Sequence, residues 1–414
     1  MDVSSVEERA RGVRSWRSRS LLLVALALVA ALALSACGGS DSGSGGGSGS
    51  TSATSGGGSA SNDTGIALDA DRVIADSFAG VVEDPPSSGP RAQRGKTVWL
   101  LSCLAYEGCQ RITNGMVDAG RALGWNVKVV DTKADPNLTI SAMRQAISAG
   151  ADGIIELPMD CPLLKSGLLA AKSAGVPVVS YGGLDCDNPA FRGGESLFAA
   201  NVQFNGRDWG DFYGKTGERD ADMVLALAAK KGIKEPKIIQ VRNDDQALQH
   251  EHSQRFEDEV KAKCPGCTVY PLSFTIPQLG AGKGPSIFKS GVLAHPDANI
   301  LYYHASAWLP AGLQAAMQGA GHRFDVSCCG DGGQSDLQNI RDGLTDAAGS
   351  YPSDWAAFAV FDVMNRVFAG ERTFPYEGGE VLYVDRDHNL PAPREYANGS
   401  YDYRGAYEKV WNGS

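Results

Sequence analysis

The sequence predicts an α/β protein whose folded body is two similar halves, each a parallel sheet flanked by helices. Three observations lead there. Short apolar runs alternate with segments of helical apolar spacing, glycines close the helices, and the alternation runs twice along the 414-residue chain. Strands and helices that alternate through short turns give a parallel sheet with helices on both faces. Hydrophobic residues at 43% and charged residues at 21% match ordinary globular usage. That composition argues against collagen, a charged disordered tail and a multispan membrane protein. The formal net charge of −10 repels phosphate backbones, so no nucleic-acid partner is expected.

The first elements are not part of the body. Arg9, Arg11, Arg14, Arg17 and Arg19 precede an unbroken apolar run of 14 residues, Leu21 to Leu34. A bilayer-spanning helix needs ~20 residues, so residues 1–36 are expected to be a signal peptide. Leu34-Ser35-Ala36-Cys37 resembles the bacterial lipobox. That resemblance implies cleavage before Cys37, acylation of its thiol and attachment to the outer face of the cell membrane. The alternatives are an ordinary signal peptide with a chance cysteine, or an uncleaved anchor. Residues 37–62 are Gly/Ser-rich with no apolar face, a flexible tether with a reach of roughly 25–30 Å. Residues 63–95 form a lead-in arm, helical in spacing from Ile66 to Val82 and then broken by Pro85-Pro86 and Pro90.

The body opens at Thr97–Ser102, an apolar strand, followed by the loop Cys103–Cys109. Ile112, Met116, Ala119 and Leu123 share one helix face, and Gly124 stops that helix. Asn126–Asp131 is the next strand, residues 137–149 a helix, Ile154–Leu157 a strand, 163–174 a helix and Pro177–Ser180 a strand. After Asn201 the pattern repeats. Helix 205–230 leads to strand Lys237–Val241, helix 247–262 to Thr268–Tyr270, a helix near 286–294 to Ile300–Tyr303, and helix 309–320 to Val326 and the strand end Cys328-Cys329-Gly330-Asp331. Ligands in such sheets collect beyond the carboxyl ends of the strands.

Several motifs, in this order and spacing, carry a family resemblance: Gly150-Ala-Asp-Gly-Ile-Ile155, Ala174-Gly-Val-Pro-Val-Val179, Ala294-His-Pro-Asp297 before Ile300-Leu-Tyr-Tyr303, Gly330-Asp-Gly332 and Asp342-Gly-Leu-Thr-Asp346. Residues 97–385 resemble a type I periplasmic binding protein of the sugar-binding cluster, related to ribose- and galactose-binding proteins and to the effector domain of lactose-repressor-type regulators. The resemblance implies two Rossmann-like lobes, with parallel sheets flanked by helices, joined by a three-strand hinge. Lobe 1 would be 97–199 plus 351–380, lobe 2 would be 200–350 plus 381–396, and 397–414 a C-terminal extension that we expect against the second lobe. Crossovers are expected near 199–202, 349–351 and 380–383.

The family grips sugar hydroxyls with an aromatic/Asn loop, an Asp-Arg pair, a helix Arg and a Gly-Asp turn. Here the turn survives as Asp331. The first loop offers Tyr106, the Asp-Arg position reads Tyr181-Gly182-Gly183, His250 or His252 stands in place of the family's helix Arg, and the second-lobe strand end reads His304-Ala-Ser-Ala-Trp308. Asp160, Asn201 and Gln203 are further candidates for ligand contact. Aromatic faces stack on a sugar ring and would equally suit a less polar ligand.

Eight cysteines remain once Cys37 is set aside, an even count for an oxidising compartment. Nearness in sequence and at strand ends suggests the disulfides Cys103–Cys109, Cys161–Cys186, Cys264–Cys267 and a vicinal Cys328–Cys329. For the last, free thiols or other pairings are the alternative. Cys264-Pro-Gly-Cys267 follows a helix rather than opening one and lacks a second pair, so neither a redox motif nor zinc is expected. Gly280–Ser286 fails the phosphate-loop spacing, and no nucleophile elbow or metalloprotease motif is present. No cofactor is expected.

The function that follows is capture of a small extracytoplasmic solute, sugar or sugar-like, by a monomeric lipoprotein that delivers it to the permease of an ABC importer. The alternatives are a ligand-sensing subunit of a receptor system and, more weakly, a secreted hydrolase.

Overall fold

The structure is a computed structural model that describes residues 64–204, 208–351 and 353–413. The expected signal peptide, Cys37 and the tether lie outside the described residues. Among the described residues eleven strands follow in chain order: β1 (Val81–Glu83), β2 (Thr97–Ser102), β3 (Asn126–Asp131), β4 (Gly153–Glu156), β5 (Val178–Ser180), β6 (Lys237–Asn243), β7 (Thr268–Phe274), β8 (Ile300–Tyr303), β9 (Val326–Cys329), β10 (Ala347–Ser350) and β11 (Gly379–Val384).

The first lobe holds a four-stranded parallel sheet ordered β3-β2-β4-β5. The inner strands are apolar throughout because helices cover both of their faces: Val98, Leu100, Leu101, Ile154 and Ile155 are wholly buried. β3 lies at the edge and carries Asn126, Lys128 and Asp131, which discourage further pairing. Helix Glu107–Leu123 buries Ile112, Met116, Ala119 and Leu123, and helix Ser353–Phe368 packs against it. Gly120 permits that approach, since a Cβ there would stand 2.3 Å from Val127 and 3.0 Å from Phe361.

The second lobe holds a seven-stranded sheet ordered β1-β11-β10-β9-β8-β6-β7. From β7 to β10 the pairing is parallel, but β11 runs antiparallel to both β10 and β1. Helix Trp209–Lys230 packs along helix Ala247–Lys263 on one face. On the other, Phe274, Phe288, Trp308 and Leu313 form a separate core.

The chain passes from lobe to lobe more often than the hinge requires. It leaves the first lobe after β5, where Ala200 still bridges to Val179. It returns to the first lobe after β10 through helix Ser353–Phe368 and enters the second again at β11. The lead-in arm adds a further passage. Its helix Ala70–Ala79 lies on helix Trp209–Lys230 and its strand β1 extends the second sheet. The arm then reaches the first lobe, where Gln93 N donates to Asn365 Oδ1 at 2.8 Å and Trp125 Nε1 to Gln93 O at 2.7 Å.

The C-terminal extension corrects the sequence expectation. Helix Tyr403–Asn412 packs on the first lobe rather than the second. Tyr403, Tyr407 and Trp411 fall on one stripe at helical spacing. They meet Trp355 and Phe358, with Trp411 stacked on Phe358 at 5.7 Å. Trp411 Nε1 donates to Asp362 at 2.6 Å, and Tyr407 Oη to the buried Glu377 at 2.9 Å.

The cysteine sulfurs lie at bonding distance in the pairs Cys103–Cys109, Cys161–Cys186, Cys264–Cys267 and Cys328–Cys329.

Candidate functional site

Strand ends of both lobes face a common cleft, the position at which open α/β sheets bind ligands. The cavity has a volume of about 760 Å³ and is walled by both lobes. Tyr106, Tyr181, Asp160 and Trp355 come from the first lobe. Trp209, Phe212, Tyr213, Gln249, Trp308, Asp331 and Tyr351 line it from the second lobe and its junctions.

Asp331 sits on a turn built to hold it. Gly330 and Gly332 take φ values of 63° and 76°, which suit glycine. A Cβ on Gly330 would stand 2.2 Å from the Asp336 carboxylate. Asp336 is wholly buried and accepts from the N–H of Asp331 and of Gly332, both at 3.0 Å. Burial, reinforced by the charge of Asp331, pushes the Asp336 carboxyl well above its usual range. The turn thus rests on a buried carboxyl and presents Asp331 to the cleft, with Ser306 N donating to Asp331 Oδ1 at 3.1 Å.

Aromatic groups surround that carboxylate. Tyr181 meets Trp209 edge-on at 5.2 Å, and burial pushes its phenol up to about 12. Burial likewise raises the phenols of Tyr213 and Tyr351. Tyr106 is half-buried at the start of helix Glu107–Leu123, on the loop closed by Cys103 and Cys109. Trp308 is buried against Phe274 at 5.0 Å and His304 at 4.4 Å.

The remaining sequence candidates fall elsewhere. His250 lies on the exposed face of its helix, 3.8 Å from Asp244, and does not line the cavity. Gln249 does, because one residue turns a helix by about 100°. Gln249 Nε2 donates to Tyr213 Oη at 3.3 Å, and its Oε1 accepts from His304. His252 is sealed behind this wall, 3.4 Å from Asp220, and burial drives its imidazole down to about 3. Asn201 is exposed on the crossover, and Gln203 accepts from Glu377 N at 2.8 Å; neither lines the cavity. The sequence reading missed Trp209, Phe212 and Tyr213. Their clustering at the first helical turn after the crossover was the available signal.

Two carboxylates of the first lobe cap helices of the second. The N-cap residues Gln246 and Gly333 make no side-chain capping bond. Asp160 Oδ2 accepts from Ala247 N at 3.0 Å instead, and Glu107 Oε1 from Gln334 N at 2.6 Å. Helix N-termini favour a negative partner, so these contacts hold the lobes together across the cleft. Asp160 also accepts from Leu184 N at 3.0 Å, which leaves it more committed to this contact than to a ligand.

A family model described as a periplasmic binding protein domain matches residues 103–372. Solved structures share the fold at low sequence identity. An ABC transporter solute binding protein from Mycobacterium smegmatis with bound glycerol is 18% identical, covers 74% of this chain and 100% of its own, and superposes with a TM-score of 0.59. A galactofuranose binding protein is 17% identical, covers 77% and 99%, and scores 0.58. An ABC transporter solute binding protein from Agrobacterium vitis with bound allitol is 16% identical, covers 71% and 96%, and scores 0.56. No curated protein matches the chain.

Proposed function

The chain belongs to the periplasmic binding protein domain family, and from that premise we propose that it captures a small hydroxylated solute in the interlobe cleft and hands it to the permease of an ABC importer. The observation that carries this reading is the Asp331 turn facing aromatic walls from both lobes across one cavity. A carboxylate accepts from hydroxyl groups, and aromatic faces cover the apolar side of a ring. Ligand that touches both lobes favours the closed arrangement by its differential affinity. The likeness to solute binding proteins with bound glycerol and allitol supports a polyol or sugar-like solute.

The reading is one of capture without turnover, which the match to a family of binding proteins supports. The apolar run to Leu34 and the Cys37 motif support export and lipid anchoring on the outer face of the cell membrane. Presentation of the bound solute to a receptor would use the same cleft.

A thermal-shift screen of the full chain over sugars, polyols and nucleosides tests the proposal. A binder raises the melting temperature, because it stabilises only the native state. Asp331→Ala should remove the shift for a hydroxylated binder. An Asp331→Ala chain that keeps full affinity would show that the cleft is not the site.

A further inference from the structure

We propose that the solute has two parts, a hydroxylated head at Asp331 and an apolar tail that runs out between the rims of the two lobes. The inference rests on the capture reading and adds the chemical class of the ligand. Size is the first observation. At ~30 Å³ for each water-sized group, about 760 Å³ holds on the order of 25 such groups, about twice the 12 non-hydrogen atoms of a hexose.

The second observation is how the wall changes from inside to outside. Around Asp331 the wall is half-buried phenols and an amide: Tyr181, Tyr213, Tyr351 and Gln249. At the rim both lobes add aliphatic groups, beside the exposed charges of Lys133, Asp135 and Asp245. Leu138 and Leu163, in the first turns of two helices of the first lobe, are 45% and 50% exposed yet line this cavity. Ile276, Pro277 and Leu279 line it from the second lobe. Scattered exposed leucines need no explanation, but exposed aliphatic groups from both lobes lining one cavity mark a binding surface.

Matched methyl and hexyl β-D-glycosides of glucose, galactose and arabinose, titrated calorimetrically into the full chain, test this. Each buried methylene should tighten binding about fourfold. The hexyl member of a binding pair should therefore bind roughly 30-fold or more tighter than the methyl member, even with half of the chain buried. Leu138→Glu combined with Ile276→Glu should cut that ratio to about threefold or less. Equal affinity within a binding pair, or a ratio untouched by the double variant, overturns the two-part ligand and leaves the capture reading standing. If no member of either series binds, the two-part ligand falls, and the thermal-shift screen alone decides the capture reading.

Discussion

Removing one carboxylate should loosen the grip of the lobes on each other without weakening either lobe. Glu107 is the residue to change, because it joins the lobes without lining the cavity. Its Oε1 accepts from Gln334 N at 2.6 Å and also from the Tyr396 hydroxyl at 3.3 Å. Helix Gln334–Asp342 has Gly333 at its N-cap and no side-chain cap of its own. Loss of an N-cap costs ~1 kcal/mol, and loss of a charge beside a helix N-terminus ~0.3–1 kcal/mol. Together they make about 1.5 kcal/mol, or roughly a tenfold fall in the ratio of closed to open molecules. The cost falls on the closed arrangement, because in the open one water satisfies the freed N–H. Glu107→Ala should therefore raise the radius of gyration measured by small-angle X-ray scattering without ligand and weaken binding of any cleft ligand up to about tenfold. Glu107→Gln, which keeps an acceptor, should lose only the smaller, charge-dependent part. Unchanged scattering and affinity in the alanine variant, with the same urea midpoint as wild type, would refute the capping argument.

Two further predictions follow from buried groups. Glu156 is wholly buried, and desolvation pushes its carboxyl from 4.5 up to about 8, against hydrogen bonds from Ser180 and Met159 N. A carboxyl raised in the folded state contributes stability that is present below pH 4.5 and lost as pH rises through 8. Glu156→Gln should accordingly flatten the fall of the unfolding free energy, measured by urea titration, over that window by up to ~1.4 kcal/mol per pH unit; an unchanged slope would mean that Glu156 is not the titrating group. Trp411→Ala empties the contact with Phe358 and removes the donor to Asp362 Oδ1, whose other oxygen keeps Arg366 Nε at 2.6 Å, so thermal or urea unfolding should show a loss of ~3–5 kcal/mol. A loss below 1 kcal/mol would mean that the C-terminal helix is only loosely held.

The four-stranded sheet and the parallel part of the larger one were legible in the sequence because most of their inner strands are covered on two sides and therefore read as apolar runs. Val81–Glu83 is too short for such a signal, and its three residues are exposed. Its pairing with β11 depends on an edge formed some 300 residues later in the chain, which no local pattern encodes. The position of Asp331 was readable because Gly330-Asp-Gly332, at the end of a strand, resembles the family's ligand-site turn. The choice of His250 over Gln249 failed on helical phase, which a single polar segment without apolar periodicity does not fix. The Trp209 cluster reads as ordinary core and becomes a wall only once the second lobe faces the first.

The strand contributed by the lead-in arm has a protective role. Without it, β11 would form the outer boundary of the larger sheet, with bare amides and carbonyls along Gly379–Val381. Such a boundary invites another polypeptide to add itself. A chain shortened to start at Lys96 would keep both lobes and expose that adhesive seam, so the arm guards the larger sheet against self-association.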